Sequence, residues 1–410
     1  MRVLLLGYGG ANNTGSEIRI LTIIADVRAV FGPDARITVV SADAARSNAV
    51  IGIVPNLVVQ QVPHLFGPAI WRLAGRHDLL LLVEGSTFKQ NWSPALLWLF
   101  LWGAWSAHRR GKRVIAYAVD AGPLDRLNAV LTRFVCARMD LIVTRTHAAR
   151  DVLQQYGIAS PIQVTTDTAF LYESDDDTPQ RPDTVGLAPV EFYEWPVRIR
   201  LWGHAERRYH WPFYHSWDAD RATRSGNLVE AWVRTARHAI ASGWSISLIA
   251  MEELDQRICE KIFAALSLHE QGLVTRIYAG RIRPQQIVAH LRSLGALMTS
   301  RYHALVLSMR SAVPVAALYH DERLVTLLRE LGLDPFAISH ERADLTTAMP
   351  ALFDRLITDA QRQRTRIATL HDSYYCPRAL ANRDLLAAYG RATPGAAPTD
   401  EVAVPRPVWA

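Results

Sequence analysis

The sequence predicts an α/β protein of two domains, each a parallel sheet covered by helices on both faces. Three observations carry this expectation. With 410 residues, the chain exceeds what one hydrophobic core usually organises, so about two domains are expected. Half of it is hydrophobic and 20% is charged, the balance of a globular protein. Short apolar runs alternate with helical patterns on both sides of an acidic, proline-containing stretch, SDDDTPQRPD at 174–183.

The first alternation covers residues 1–173. VLLLGYG turns into a helix from Glu17, and ITVVSA, LVVQQV and LLLLVEGS follow as strands. Next come the tryptophan-rich PALLWLFLWGAW (94–105), RVIAYAVDAG, a helix through Cys136, LIVTRT, a helix to Tyr156, and IQVTTDTAF. Strands that are apolar throughout must be buried on both faces, which is the mark of a parallel sheet between helical layers. The segment 94–105 is too short to span a bilayer, which takes roughly 20 apolar residues. It reads as a buried core helix, with an interfacial helix as the alternative.

Residues 174–183 are read as a linker, and residues 184–345 as a second domain of the same kind. Its strands are TVGLAPV, WSISLIAME, VTRIYAG, ALMTS and PVAALYH. Helices are expected around Leu228–Ser242, from Asp255, up to Leu294, from Tyr302 and up to Gly332. Within this domain the alternation stops over 191–225, where nine aromatics fall among arginines and histidines between Phe192 and Asp220. This insertion is either a structural loop or an acceptor platform, since flat rings suit sugars and arginines suit phosphates. C-terminal helices are expected over 346–392, and a disordered tail, rich in proline and alanine, over 393–410. Two Rossmann-like domains facing each other across a cleft would offer ligands the carboxyl ends of both sheets. That architecture resembles the GT-B glycosyltransferases.

A net charge of +6 and a pI near 9.3 favour anionic ligands, but the arginines are scattered and form no block. A phosphorylated substrate or an anionic membrane face is expected, and no nucleic acid. Cys136, Cys259 and Cys376 lack the spacing of a disulfide framework or a zinc site, so a reducing compartment and no metal are expected. The chain runs from Met1-Arg2 directly into a strand with no signal peptide. A cytoplasmic protein is the expectation, at the inner face of the membrane if the basic charge and the aromatics of the insertion support peripheral association.

Candidate chemistry gathers at strand ends. Gly7, Gly9, Gly10 and Gly15 lie where the first strand becomes a helix, a setting that suits an anion. A dinucleotide fingerprint is met only in part, because Asn12 stands where a third glycine is needed, although Asp43 does follow the second strand. Glu84-Gly85-Ser86 ends the LLLLV strand, and Glu84 there is either a proton donor or acceptor or a brace for a helix or arginine. Asp120, Arg145 and Asp167 also close strands, with a turn residue as the bland alternative for Asp120 and a mutual salt bridge or helix cap as that for Arg145 and Asp167. Arg301 supplies a planar fork for carboxylate or phosphate, and His303, at a helix start, can exchange protons near neutrality.

Together these residues resemble the polysaccharide pyruvyl transferase family. The family opens with a strand and G-Y-x-G-x-x-N-x-G-D-E, matched by Gly7, Tyr8, Gly10, Asn13, Gly15 and Glu17, with Ser16 replacing the aspartate. A Gly-Gly-Gly-Ser turn of the family is similar to Val83-Glu84-Gly85-Ser86, where Glu84 departs. Arg145, Asp167-Thr168-Ala169-Phe170 (without the family's proline), Arg301-Tyr302-His303-Ala304, Val313-Pro314 and Tyr319-His320-Asp321 follow in family order. The resemblance spans about residues 1 to 335. It implies transfer of pyruvyl from phosphoenolpyruvate, a donor substrate and not a cofactor, to a sugar or lipid-linked saccharide acceptor. Under it, His303, Glu84 and Asp167 are the expected catalytic residues. Arg301, Arg145, Asn13, Gly10, Gly15, Glu17 and Ser86 are the expected substrate-binding residues, and no metal is expected. Competing readings are a GT-B-type glycosyltransferase using a nucleotide sugar, an inactive scaffold, and last a dehydrogenase.

Overall fold

Alternate residues of the first strand are sorted to opposite faces, and two helical layers form around them. The computed structural model describes residues 1–63, 66–90, 94–174, 178–194, 197–210, 213–320, 322–391 and 404. They divide into two units, Met1–Glu173 with the segment from Asp372, and Ser174–His371.

The first unit holds β1 (Arg2–Gly9), β2 (Arg36–Ser41), β3 (Leu57–Gln61), β4 (Leu79–Leu82), β5 (Arg113–Val119), β6 (Leu141–Thr144) and β7 (Ile162–Val164). All pair in parallel, in the order β3-β2-β1-β4-β5-β6-β7. Its helices are α1 (Thr14–Phe31), α2 (Ala44–Ile51), α3 (Phe66–Arg76), α4 (Pro94–Arg109), α5 (Arg126–Cys136) and α6 (His147–Gln155). Leu4, Leu6, Leu80 and Leu82 pack with Ile70, Leu97 and Phe100 on one face. Val3, Leu5, Leu79 and Leu81 pack with Ile20, Ile23 and Val27 on the other.

The second unit holds β8 (Arg181–Ala188), then β9 (Val197–Ile199), β10 (Arg208–His210) and β11 (Phe213–His215). It continues with α7 (Ala219–Ala241), β12 (Ser245–Ala250), α8 (Gln256–Ala265), α9 (Leu268–Gln271), β13 (Val274–Tyr278) and α10 (Pro284–Ser293). Then come β14 (Leu294–Thr299), α11 (Tyr302–Ser308), β15 (Val315–Tyr319), α12 (Glu322–Glu330), β16 (Ala337–Ser339), α13 (Leu345–Thr358) and α14 (Ala360–Leu370). Its parallel sheet runs β13-β12-β8-β14-β15-β16. Both sheets therefore reverse direction between their first and fourth strands, β1/β4 and β8/β14, as in a doubly wound fold.

Several boundaries differ from the sequence expectation. The first helix begins at Thr14 because Asn13 caps it, its side chain accepting from the Ser16 amide at 3.1 Å. Arg181–Asp183, read as linker, already belong to β8, since Arg181 pairs with Leu294. The insertion 191–225 contains a small antiparallel sheet, β10-β11-β9, and the first turns of α7, capped by Asp218. Trp195, Pro196, Trp211 and Pro212 of that insertion lie outside the described residues, as do 175–177, Asp321 and, apart from Val404, the tail 393–410. The helices at 346–392 are divided between the units. The last, α15 (Cys376–Arg391), lies on the first. Arg378 donates to the carbonyls of Val164 and Thr165, each at 2.9 Å. Arg383 meets Asp26 at 2.5 Å, and Leu385 and Leu386 enter the core beside α1.

Candidate functional site

In the first unit, the loop after β1 and the turn after β4 lie side by side where the strand order reverses. Gly10 adopts φ +80°, and a Cβ there would meet the Asp43 carbonyl oxygen at 2.5 Å. Only glycine fits that close approach without strain. Asn12 is also left-handed, at φ 52°. The tight loop aims the Gly10 amide at Glu17 Oε1, 2.8 Å away. Gly15, buried in the first turn of α1, adds no side chain to this packing.

Glu17 is 2% exposed, and its Oε2 has no hydrogen-bond partner among the described residues. Burial pushes its carboxyl up to about 7, with the Gly10 amide pulling down and neighbouring Glu84 pushing further up. A buried carboxyl beside a second carboxylate is the arrangement that holds a proton near neutrality. Glu84, half-buried, accepts from the Ser16 hydroxyl at 3.3 Å and from the Ser86 amide at 3.4 Å. The two departures from the family pattern thus touch.

Beneath this pair runs a line of alternating charges. Arg19 Nη1 meets Asp167 at 2.9 Å while its Nη2 donates to the carbonyls of Val83 and Ala118. Arg145 joins Asp167 and also Asp120, the latter at 3.2 Å, and Lys89 Nζ reaches Asp120 at 3.1 Å. Gly85 lets the Glu84 turn lie against Arg145, where a Cβ would meet Nη1 at 3.0 Å. The side chains of Arg145 and Asp167 are both 0% exposed. Arg145, expected to bind substrate, and Asp167, expected to take a proton, are thus paired with each other. Each neutralises the other inside the protein, and Asp167 also caps the following turn at the Ala169 amide, 3.0 Å away. Lys89, 14% exposed, stands at the solvent side of this network.

In the second unit, β14 ends at Thr299 and Arg301 precedes α11, its amide held by the Thr299 hydroxyl at 2.8 Å. Its fork, expected to hold a carboxylate or phosphate, is engaged on one side by carboxylates of the protein. Arg301 Nε donates to Asp255 at 2.8 Å, and Nη2 contacts Asp255 and Glu252, the latter at 3.0 Å. Burial raises the Asp255 carboxyl against the pull of Arg301. Nη1 makes no hydrogen bond among the described residues, and the Arg301 side chain stays 23% exposed. His303, half-buried on the first turn of α11, stands edge-on to Tyr302 with ring centroids 5.2 Å apart. At the end of β8, buried Glu191 accepts from the Ser225 hydroxyl at 2.7 Å and faces Lys261 at 3.5 Å.

Sequence reasoning missed Lys89, Glu191, Glu252 and Asp255. For Glu252 and Asp255 a signal existed, since both closely follow the WSISLIA strand. Lys89 carried none, because its partner is 31 residues away. Of the expected residues, the fold brings Gly10, Asn13, Gly15, Glu17, Glu84 and Ser86 to one strand switch, and Arg301 and His303 to the other. Among the described residues of the insertion, Trp202 is 80% exposed while Tyr214 and His215 are buried.

A sequence profile of the polysaccharide pyruvyl transferase family matches residues 13–322. No curated protein matches the chain. Among solved structures, a UDP-N-acetylglucosamine 2-epimerase is similar with a TM-score of 0.60 and 12% identity, over 98% of this chain and 99% of that one. S. aureus MnaA with UDP gives 0.58 and 10%, over 98% and 100%. The Neisseria meningitidis UDP-GlcNAc 2-epimerase bound to UDP-GlcNAc gives 0.57 and 10%, over 94% and 99%. At such identities the likeness concerns the fold alone, two parallel α/β units in series.

Proposed function

The chain belongs to the polysaccharide pyruvyl transferase family, and from that premise we propose that it transfers pyruvyl from phosphoenolpyruvate to two hydroxyls of a sugar. The acceptor is a cell-surface polysaccharide or its precursor, and the products are a cyclic ketal and phosphate. The observation that carries this reading is that the matched span, 13–322, runs from Asn13 past His303. It therefore takes in the acid pair of the first unit and the arginine and histidine of the second.

The chemistry assigns work to these residues. Protonation of the donor's methylene carbon makes an oxocarbenium-like centre. One sugar hydroxyl attacks it, phosphate leaves, and the second hydroxyl closes the ring. His303 supplies the proton. Arg301, held rigid by Asp255 and Glu252, offers Nη1 to the donor's anionic groups. Glu84 accepts a hydroxyl proton. Glu17 lies beside it, its carboxyl raised to about 7 by burial. No oxidation occurs, so the reaction needs no redox cofactor. We place the reaction in the cytoplasm, where phosphoenolpyruvate is made.

Thermal unfolding with phosphoenolpyruvate, UDP-GlcNAc and NAD tests the donor. Saturating phosphoenolpyruvate is expected to stabilise the protein by about 2.7 kcal/mol at a hundredfold excess over Kd. The shift is expected to vanish in Arg301→Ala and in Arg301→Lys, which keeps the charge that Asp255 and Glu252 need. It is expected to persist in His303→Gln while turnover falls about 100-fold or more. A shift with UDP-GlcNAc instead would establish a nucleotide-sugar enzyme.

A further inference from the structure

Two neighbouring helices of the first unit carry apolar side chains on their outer faces. On α4, Leu97, Phe100, Leu101 and Ala104 are buried against the sheet. Trp98, Trp102, Trp105 and Arg109 recur at intervals of four, three and four residues, which places them on one face of a helix with 3.6 residues per turn. Its ends, Trp98 and Arg109, are exposed, while Trp102 and Trp105 pack on the core and on Trp71 of α3. Trp98 is 45% exposed, and Trp102 and Trp105 are half-buried. From α3, Trp71 approaches Trp105 at 5.8 Å and Trp102 at 6.4 Å, with the Arg110 guanidinium 4.4 Å from its ring. The Trp98 indole donates to Asn128 of α5 at 2.8 Å, which joins the two helices.

Helix α5 is amphipathic in an unusual sense. Asn128, Thr132, Val135 and Cys136 are its buried face. Leu127, Val130, Leu131 and Phe134, spaced i, i+3, i+4, i+7, are exposed at 65%, 64%, 38% and 47%. Beside this stripe lie exposed Arg126 and Arg133, and the Arg138 guanidinium sits 3.6 Å over the Phe134 ring. Residues 94–138 hold seven Lys and Arg against two Asp, one of which, Asp120, is buried and paired.

We propose that the outer face of α4 and α5 docks onto an anionic lipid surface, with Leu127, Val130, Leu131 and Phe134 entering the headgroup boundary and the arginines meeting lipid phosphates. Charge complementarity selects this occupant. Pairing with a second copy through the same face would bring like charges together, since Arg126 and Arg133 are exposed beside the apolar stripe, which is repulsive. Tryptophans half-sunk in a helical face with a basic rim suit an interface with one apolar and one charged side. No helix among the described residues is long and apolar enough to cross a membrane, so binding lies along the surface. The inference stands whichever donor the enzyme uses.

Flotation of the full chain with vesicles tests it. Binding is expected to an equal mixture of phosphatidylcholine and phosphatidylglycerol, and not to phosphatidylcholine alone, with release at high salt. Leu127→Glu with Phe134→Glu is expected to abolish flotation. Arg126→Glu with Arg133→Glu is expected to weaken it about tenfold or more. All four side chains are exposed, so the melting temperature of both variants should match the parent, and the arginine pair reports even if the apolar pair misfolds. Equal binding to both vesicles, binding to neither, or unchanged binding by both variants would overturn the proposal. So would light scattering that shows a lipid-free dimer which Leu127→Glu with Phe134→Glu converts to monomer.

Discussion

Glu17 shows how one side chain can look like a family marker in sequence and become a titrating group in structure. Its place in G-x-x-N-x-G-x-E was visible, but its proton affinity comes from burial and from Glu84, 67 residues later in the chain. Burial raises its carboxyl from 4.5 to about 7, so the folded state binds this proton more tightly than the unfolded chain does. The neutral form thus favours folding, and that advantage is full below about 4.5 and lost as the pH rises through about 7. Glu17→Gln removes the titration. Relative to the variant, the parent is expected to lose about 3 kcal/mol of stability between pH 4.5 and 8 as an upper bound. Urea unfolding at a series of pH values reads this difference directly, and a constant difference would show that Glu17 does not titrate there.

Among the elements, the strand ends of the first unit are tied together by Arg19, Asp167, Arg145, Asp120 and Lys89. The sequence placed Asp120, Arg145 and Asp167 at strand ends, because a charge after an apolar run marks where a strand leaves the core. It offered a salt bridge of Arg145 and Asp167 as one alternative but could not choose it, since the order of these residues across the sheet depends on which strands become neighbours. Removing one carboxylate from such a buried line leaves cations uncompensated. Asp167→Asn is expected to cost about 3–5 kcal/mol by that mechanism. Asp78→Asn, which breaks the exposed pair with Arg2, is expected to cost about 1 kcal/mol or less. Guanidinium unfolding midpoints compare the two, and equal losses would mean that the buried line carries no special weight.

For the whole molecule, the last helix decides which residues make a folding unit. Helix α15 lies more than 200 residues after β7, yet Arg378 and Asn382 bond the backbone of 164–166. A chain ending before Cys376 is expected to lose stability in residues 1–173 while 174–371 stays folded. Calorimetry of the parent against this truncation is expected to show one transition moved to lower temperature and one retained. If both transitions move together, the units do not unfold separately.

Much of this was legible in advance where the signal is local. Apolar runs such as LLLL and the helical periodicity between them set two parallel α/β units, because burial on both faces forces a strand to be apolar throughout. Glycine at position 10 and asparagine at 13 marked the turn into α1, because left-handed backbone and helix capping each demand particular residue types. What only the tertiary structure decided is the set of partners brought together across the sheets. Asp255 occupies the Arg301 fork, Ser16 meets Glu84, Arg145 is sealed against Asp167, and α15 returns to the first unit. Each of these depends on contacts between segments far apart in the chain, whose electrostatic consequences follow from burial and proximity and leave no periodic trace in the order of residues.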